Sequence, residues 1–179
     1  MRIIGGKYRG KKLFSPSSEN VRPTSDKARE ALFNIMRNRL RKSFYDLKLI
    51  DVFSGSGAFG LEGLSQGFTK VALVDIDTKD LNKNVKLFEC EKNKIEVIKA
   101  DVTKSIPVSD KFDVMFMDAP YNKGLSEKAL QNVAKCLNNG ALCMVELAKE
   151  EVCEFPEGYH ILDERTYGIA KVIIAEFTL

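Results

Sequence analysis

The 179-residue sequence contains a single histidine and only four cysteines. The cysteines never form a C-x-x-C pair, so a zinc site would have to collect scattered ligands, and reduced, mostly buried thiols are the simpler interpretation. No motif surrounds His160, which excludes a Ser-His-Asp or Cys-His mechanism and favours a buried position in a strand. We therefore expect no metal site and no histidine-activated nucleophile.

Long hydrophobic runs are also missing. No apolar segment approaches the ~20 residues that a membrane span requires, and residues 1–6 lack the apolar core of a signal peptide. There are no repeats, and 44% hydrophobic with 30% charged residues is an ordinary balance for one globular domain. We expect a cytoplasmic protein without contact to a membrane.

The formal net charge is only +3, but the charge is unevenly distributed. Residues 1–42 carry 12 Lys and Arg against 3 Asp and Glu, whereas residues 43–179 carry 16 against 22. A basic front on an acidic body predicts contact with a polyanion such as nucleic acid, while a solvated helix face is the alternative. The candidate contacts near the N-terminus are Arg2, Lys7, Arg9, Lys11 and Lys12.

The first 46 residues are expected to form a basic extension that packs on the same domain. Residues 2–14 predict a short β-hairpin or an extended arm, and residues 15–20 a turn-rich linker. A helix capped by Thr24 or Ser25 should run to about residue 42, with Leu32 and Met36 on its apolar face and Arg29 on another face.

Residues 47–179 alternate between strand and helix patterns, which predicts an α/β domain with a parallel sheet and helices on both faces. The expected strands cover 49–53, 71–74, 95–98, 112–117 and 141–146. The expected helices cover 59–66, 78–90 and 126–137. Residues 160–166 and 170–177 should close the sheet as an antiparallel hairpin.

The segment Gly-Ser-Gly-Ala-Phe-Gly at residues 55–60 is a G-x-G-x-x-G loop between a strand and a helix. Together with Asp75 at the end of the next strand, it matches the dinucleotide fingerprint and allows an NAD oxidoreductase. Asp51, inside the preceding strand, favours another ligand, because its carboxylate would repel a pyrophosphate but attract an ammonium group. S-adenosylmethionine carries that ammonium, and Asp75 and Asp101 suit its ribose and its adenine.

The fourth predicted strand runs into Asp118-Ala119-Pro120-Tyr121. An exocyclic amine of a base is a poor nucleophile, because its lone pair is delocalised into the ring. A carboxylate and a backbone carbonyl that accept its two N–H groups would direct the lone pair at a methyl donor, and Tyr121 would stack on the unstacked base. A plain strand-ending turn is the alternative.

Four segments resemble the RsmD family of 16S ribosomal RNA guanine-N2 methyltransferases. They are RIIGGKYRG at 2–10, VRPTSD at 21–26, REALFN at 29–34 and DVFSGSG at 51–57. The resemblance covers nearly the whole chain. It implies a class I, Rossmann-like methyltransferase domain at 47–179, S-adenosylmethionine as the methyl donor, and a guanine of the small ribosomal subunit as the substrate.

The same resemblance implies roles for individual residues. The cofactor would be held by Asp51, Phe53, Gly55, Gly57, Asp75 and Asp101. The target base would be held by Asp118, Ala119, Pro120 and Tyr121. RNA would be held by the five basic residues named above together with Arg22. The family has proline where this chain has Ala119, and we expect a slightly looser turn with its carbonyl retained.

Three other functions remain open at this stage. An adenine-N6 methyltransferase of DNA uses the same amine chemistry, although no separate sequence-reading domain exists. An NAD oxidoreductase would share the glycine loop, and a non-catalytic RNA-binding assembly factor would keep the fold without the chemistry. We expect a monomer whose partner is 16S ribosomal RNA.

Overall fold

A computed structural model describes residues 1–15 and 25–179, and within these ranges one seven-stranded sheet forms the centre of the molecule. The strands are β1 (Lys48–Val52), β2 (Lys70–Asp75), β3 (Ile95–Lys99), β4 (Phe112–Asp118), β5 (Leu137–Ala148), β6 (Tyr159–Tyr167) and β7 (Ala170–Phe177). Their order is β3-β2-β1-β4-β5-β7-β6. The first five strands are parallel, and β7 pairs antiparallel with both β5 and β6. The expected class I α/β topology with a terminal hairpin is confirmed.

Two layers cover the sheet. The α-helices are α1 (Asp26–Leu40), α2 (Ala58–Gln66), α3 (Lys79–Val85) and α4 (Leu125–Val133). One apolar cluster joins the N-terminal segment, α1, α2 and α3 to one face, and a second joins α4 to the other face. Because β1 to β3 progress towards one sheet edge and β4 to β5 towards the other, right-handed crossovers leave their helices on opposite faces.

Two predicted helices were too long. A 3₁₀-helix (Lys86–Lys94) follows α3, with non-helical backbone at Phe88 (φ −118°, ψ 31°), because that ring turns into the core and is fully buried. After α4, a 3₁₀-helix (Ala134–Cys136) leads directly into β5, so the Asn-Asn-Gly segment at 138–140 belongs to the strand rather than to a helix end. Tertiary packing overrides the helical periodicity at both places.

The helix α1 begins where the sequence predicted, since the Ser25 hydroxyl accepts a hydrogen bond from Ala28 N. Its buried side differs from the prediction. Arg29, expected on another face, is 1% exposed and packs beside Leu32 and Phe33. Its charge can be buried because its Nε lies 3.6 Å from the Glu62 carboxylate of α2 and its Nη2 donates to Asp26 at 3.0 Å.

The N-terminal segment forms a minimal hairpin, with one antiparallel bridge between Arg2 and Lys12. It lies along α2 rather than extending into solvent. The amides of Ile4 and Gly5 donate to the Glu62 carboxylate at 2.8 Å each, and the Tyr8 amide donates to Ser65 Oγ at 2.9 Å. The predicted domain boundary after residue 46 stays a prediction, and the linker residues 16–20, Arg22 and Thr24 lie outside the described residues.

Two expectations about individual residues need correction. His160 lies in β6 as expected, but it is exposed because this strand forms the outer edge of the sheet and its exposed residues outnumber the buried ones. The four thiols are free, yet only Cys136 and Cys143 are buried, and Cys90 is exposed. Across residues 1–15 and 25–179, no helix is both long and apolar enough to cross a bilayer.

Candidate active site

The glycine loop adopts a backbone that few residues tolerate. Phe53, Gly55 and Gly57 have φ values of 59°, 54° and 79°, all in the left-handed region. Phe53 is not a glycine, so this conformation costs it about 1–3 kcal/mol. Residues with such backbone strain are concentrated at ligand-binding and active sites. A Cβ on Gly57 would stand 2.5 Å from Leu81 Cδ1, so glycine is needed there for both conformation and space.

The first and last glycines of the motif have different surroundings. A Cβ on Gly60 would stand 2.1 Å from Leu73 Cδ2, so this glycine allows α2 to pack closely on β2. A Cβ on Gly55 would meet nothing within 4 Å. The loop is therefore tightly packed beneath and open at its first glycine, where a ligand can approach the backbone.

Asp51 lies in β1 directly beneath this loop. Its side chain is 1% exposed, and its Oδ2 accepts a hydrogen bond from Gly60 N at 2.9 Å. Burial raises the pKa of Asp51 to about 8, the negative charge of Asp75 adds to the effect, and the bond from Gly60 opposes it. Within residues 1–15 and 25–179 this carboxyl group forms no ion pair with Lys or Arg, so a cationic ligand group would stabilise its charged form.

Asp75 is the last residue of β2, and Asp101 follows the end of the neighbouring β3. Asp75 Oδ2 accepts from Gly55 N at 2.8 Å, which fixes the acid against the loop. Asp101 Oδ1 accepts from Thr103 Oγ1 at 2.6 Å and from Thr103 N at 3.1 Å, and these bonds lower the pKa of Asp101. The Ala100 amide donates to the Asp75 carbonyl at 3.0 Å and so joins the two turns.

Asp118 ends β4 and stands opposite Glu146 of β5 in the parallel register. Desolvation of its carboxyl group raises the pKa of Asp118 well above the ordinary value, and the charges of Glu146 and Asp51 act in the same direction. Ala119 is buried, Pro120 is exposed, and the Tyr121 hydroxyl donates to Glu146 Oε1 at 2.7 Å. The turn after β4 therefore gathers carboxylates and an aromatic ring next to the glycine loop.

The sequence of this chain is similar to those of known proteins. The family model described as conserved hypothetical protein 95 matches residues 1–176. Ribosomal RNA small subunit methyltransferase D of Haemophilus influenzae is 36% identical over 181 residues, which cover 96% of this chain and 91% of that protein. The chain belongs to the RsmD family. It is therefore a methyltransferase, and S-adenosylmethionine is its cofactor.

Two further relatives agree with this assignment. The methyltransferase of the same name from Escherichia coli K12 is 34% identical over 136 residues, which cover 73% of this chain and 65% of that protein. The solved structure of Escherichia coli yhhF superposes with a TM-score of 0.82 at 27% identity, covering 99% of this chain and 98% of that chain.

The residues of this RsmD-family chain fit S-adenosylmethionine better than a dinucleotide. The open first glycine and the adjoining Asp75 carboxylate suit a ribose, and the buried Asp51, which lacks a cationic partner among the described residues, suits an ammonium group. A pyrophosphate at the same loop would meet that carboxylate. Asp51, Phe53, Gly55, Gly57, Asp75 and Asp101 lie in the loop, beneath it or at the neighbouring strand ends, and their contacts to the cofactor stay predictions.

Sequence reasoning missed two residues at the crevice. Glu146 is 7% exposed although it carries a carboxylate, and its place at the end of an apolar run in β5 was a signal for it. Ile76, directly after Asp75, is 64% exposed and offers apolar surface for an adenine ring. Both follow the general rule that open α/β sheets bind ligands beyond the carboxyl ends of their strands.

The basic residues expected to hold RNA lie along the hairpin on α2. Two of them are tied to the 3₁₀-helix after α3, because Lys7 Nζ lies 2.5 Å from Glu91 and Lys11 Nζ donates to the Leu87 carbonyl at 2.5 Å. Arg2 lies 3.5 Å from the Asp26 carboxylate. Arg2, Lys7, Arg9 and Lys12 are all exposed. Of these, Arg9 and Lys12 form no ion pair within residues 1–15 and 25–179, which leaves them the more available for RNA.

Proposed function

We propose that this RsmD-family protein transfers a methyl group to the exocyclic N2 amine of a guanine in small-subunit ribosomal RNA. The observation that carries the proposal is the pair of carboxylates, Asp118 and Glu146, at the ends of adjacent strands beside the glycine loop. Relatives over most of the chain bear the name ribosomal RNA small subunit methyltransferase D, which supports the RNA substrate. We further propose that the protein acts as a cytoplasmic monomer.

The chain's own residues would prepare the amine. The Asp118 carboxylate and the Ala119 carbonyl accept one N–H each and draw the nitrogen lone pair out of the ring. Tyr121 offers its ring as a stacking surface for the unstacked base, a contact worth roughly 1–3 kcal/mol. S-adenosylmethionine, held by the residues of the glycine loop and the strand ends, would supply the methyl group to the N2 nitrogen.

The transfer leaves one proton too many on the nitrogen. Asp118 is placed to accept it, because burial and the neighbouring negative charges raise the pKa of this carboxyl group and make it a better base than an exposed aspartate. The proton then passes to solvent when the methylated base leaves. No covalent intermediate between protein and RNA is required, and orientation and electrostatics supply the rate.

A methyl-transfer assay tests the proposal directly. The purified protein is given radiolabelled S-adenosylmethionine with naked small-subunit RNA, with small ribosomal subunits, or with duplex DNA, all from a strain that lacks the gene. We expect label in RNA, on N2 of one guanine. Label on adenine N6, or in DNA alone, would overturn the proposal in favour of the rival amine chemistry, and RNA binding without any transfer would favour an assembly factor.

A cofactor titration tests the nucleotide alternative independently of the RNA. We expect S-adenosylmethionine to bind and NAD to leave the calorimetric baseline unchanged. Size-exclusion chromatography of the same sample tests the monomer, and a dimer peak would contradict that part of the proposal.

A further inference from the structure

Glu146 places a carboxylate where folding alone would favour an uncharged side chain. It lies between Val145 and Leu147, which are fully buried and 2% exposed, and it faces Asp118 across the β4–β5 pair. Two carboxylates on directly paired residues, with Glu146 buried and Asp118 only partly exposed, repel each other. The hydrogen bond from the Tyr121 hydroxyl needs only an acceptor, and a glutamine would provide one without the charge.

The edge of the proposed substrate base supplies such a reason. On its Watson–Crick side guanine presents two adjacent donors, N1–H and the N2 amine. Adenine presents one amine donor next to N1, which is an acceptor. Ionised carboxylates only accept hydrogen bonds. Two neighbouring carboxylates therefore match the guanine edge and repel the adenine edge.

We propose that Glu146 selects guanine by accepting the N1–H of the target base while Asp118 holds the N2 amine. This inference rests on the proposed function and assigns its base specificity to one residue. Tyr121 would act as a positioning residue, because its hydroxyl fixes the orientation of the Glu146 carboxylate at 2.7 Å.

The electrostatics of the free site agree with this assignment. Desolvation raises the pKa of Asp118, and the charge of Glu146 acts in the same direction. Two N–H donors of a base would offset the repulsion between the two carboxylates. An acceptor at N1 would add to it.

The test uses a substrate that keeps the N2 amine and removes the N1–H donor. In the RNA identified by the methyl-transfer assay, splinted ligation replaces the target guanine with 2,6-diaminopurine, whose N1 is unprotonated and whose 6-amino group replaces O6. Because the change at C6 is the same for every variant, the difference between variants reports on Glu146. We expect the wild type to prefer guanine by about 10- to 100-fold in kcat/KM, the range for one well-placed base contact. The isosteric variant Glu146→Gln should reduce this ratio to within about threefold of unity.

The ratio is measured within each variant, so it does not depend on how much of the protein is folded. Tyr121→Phe is the matched control, because it removes the hydroxyl bond but leaves the Glu146 charge. We expect it to lower the rate and to keep most of the preference for guanine.

The outcomes separate this inference from the proposed function. A wild type without preference, or Glu146→Gln with the wild-type preference, would overturn the role of Glu146 while guanine-N2 methylation stands. If the wild type methylates N2 in neither the guanine RNA nor the 2,6-diaminopurine RNA and instead methylates adenine, the proposed function itself has failed.

Discussion

Two acidic side chains beside and within α2 are buried in opposite ways. Beneath the helix start, Asp51 is buried with a pKa raised to about 8 and, within residues 1–15 and 25–179, forms no ion pair with Lys or Arg. Further along the same helix, Glu62 is fully buried but lies 3.6 Å from the Arg29 guanidinium and accepts the amides of Ile4 and Gly5.

The difference separates a charge that serves folding from a charge that serves a ligand. A buried ion pair whose carboxylate also accepts backbone amides holds elements together, here the hairpin, α1 and α2. A buried carboxyl group without a cationic partner weakens the fold, and such groups concentrate at binding and catalytic sites. Asp118 belongs with Asp51 in this respect, since it too lacks a Lys or Arg partner in the described ranges and its pKa is raised.

The largest effect is expected for Asp118→Ala. Loss of the group that orients the amine and accepts its proton should lower kcat by about 10²–10⁴-fold, while thermal stability stays equal or rises. Radiolabelled methyl incorporation at saturating cofactor measures kcat. Asp77→Ala is the control, because this exposed residue only caps α3 through Lys79 N and should change kcat by less than about twofold. Retained methylation in Asp118→Ala would refute its catalytic role.

The opposite behaviour is expected for Glu62→Ala. This change leaves the Arg29 charge buried without its partner and orphans two hairpin amides, so the free energy of unfolding should fall by about 3–5 kcal/mol. Urea denaturation followed by circular dichroism measures it. Lys7→Ala removes a cation that is 67% exposed, and Glu91 keeps Lys94 and the Tyr8 hydroxyl as partners, so the loss should be far smaller. Equal losses in the two variants would contradict the structural role of the Glu62–Arg29 pair.

The stability of the fold should depend on pH through the ionisation of Asp51. A carboxyl group whose pKa rises from 3.8 to about 8 on folding takes up a proton, so stability falls as pH increases between those values. Asp51→Asn keeps an acceptor for Gly60 N and should remove that slope, which reaches at most about 1.4 kcal/mol per pH unit. Thermal melts from pH 5 to pH 8.5 measure it, and a slope unchanged in the variant would contradict the assignment.

The same group should make cofactor affinity depend on pH. The ammonium group needs the ionised carboxylate, so S-adenosylmethionine should bind more tightly as pH rises from 6 to 8, by up to about tenfold per unit. Asp51→Asn should bind weakly and without this dependence. Calorimetric titration provides the measurement, and it does not require turnover.

The smallest effect is expected on the hairpin surface. Arg9 and Lys12 form no ion pair with the described residues. Replacing both, in Arg9→Ala with Lys12→Ala, should reduce the slope of log affinity for RNA against log salt by about 2, with cofactor affinity unchanged. Lys128→Ala with Lys135→Ala removes the same charge from the α4 face and should leave the slope as it is. Equal slopes in both double variants would show that the hairpin cations belong to an ordinary solvated surface and do not contact RNA.

Much of the site was predictable because its residues are neighbours in sequence. The glycine loop, Asp51 within its strand and Asp75 at the next strand end are all local patterns, and the structure brings them to one crevice. Arg29 was misplaced because helical periodicity predicts a polar face from polarity alone. Its burial depends on Glu62, which lies on another helix.

The cations of the hairpin also show what could not be predicted from sequence alone. Composition predicted a basic N-terminus, but it could not distinguish Lys7 and Lys11, which bind the 3₁₀-helix after α3, from Arg9 and Lys12, which face solvent. Charge counts carry no information on partners that are distant in the chain.

By itself, the sequence determined the alternation of strands and helices, the left-handed glycine loop and the acids that end the strands, because these depend on residues within a few positions of one another. The tertiary structure decided that Asp118 stands beside Glu146 and that Arg29 meets Glu62. Each of these pairs is formed by strands or helices that only folding brings into contact, and the pairing decides whether a buried charge stabilises the protein or is kept for its ligand.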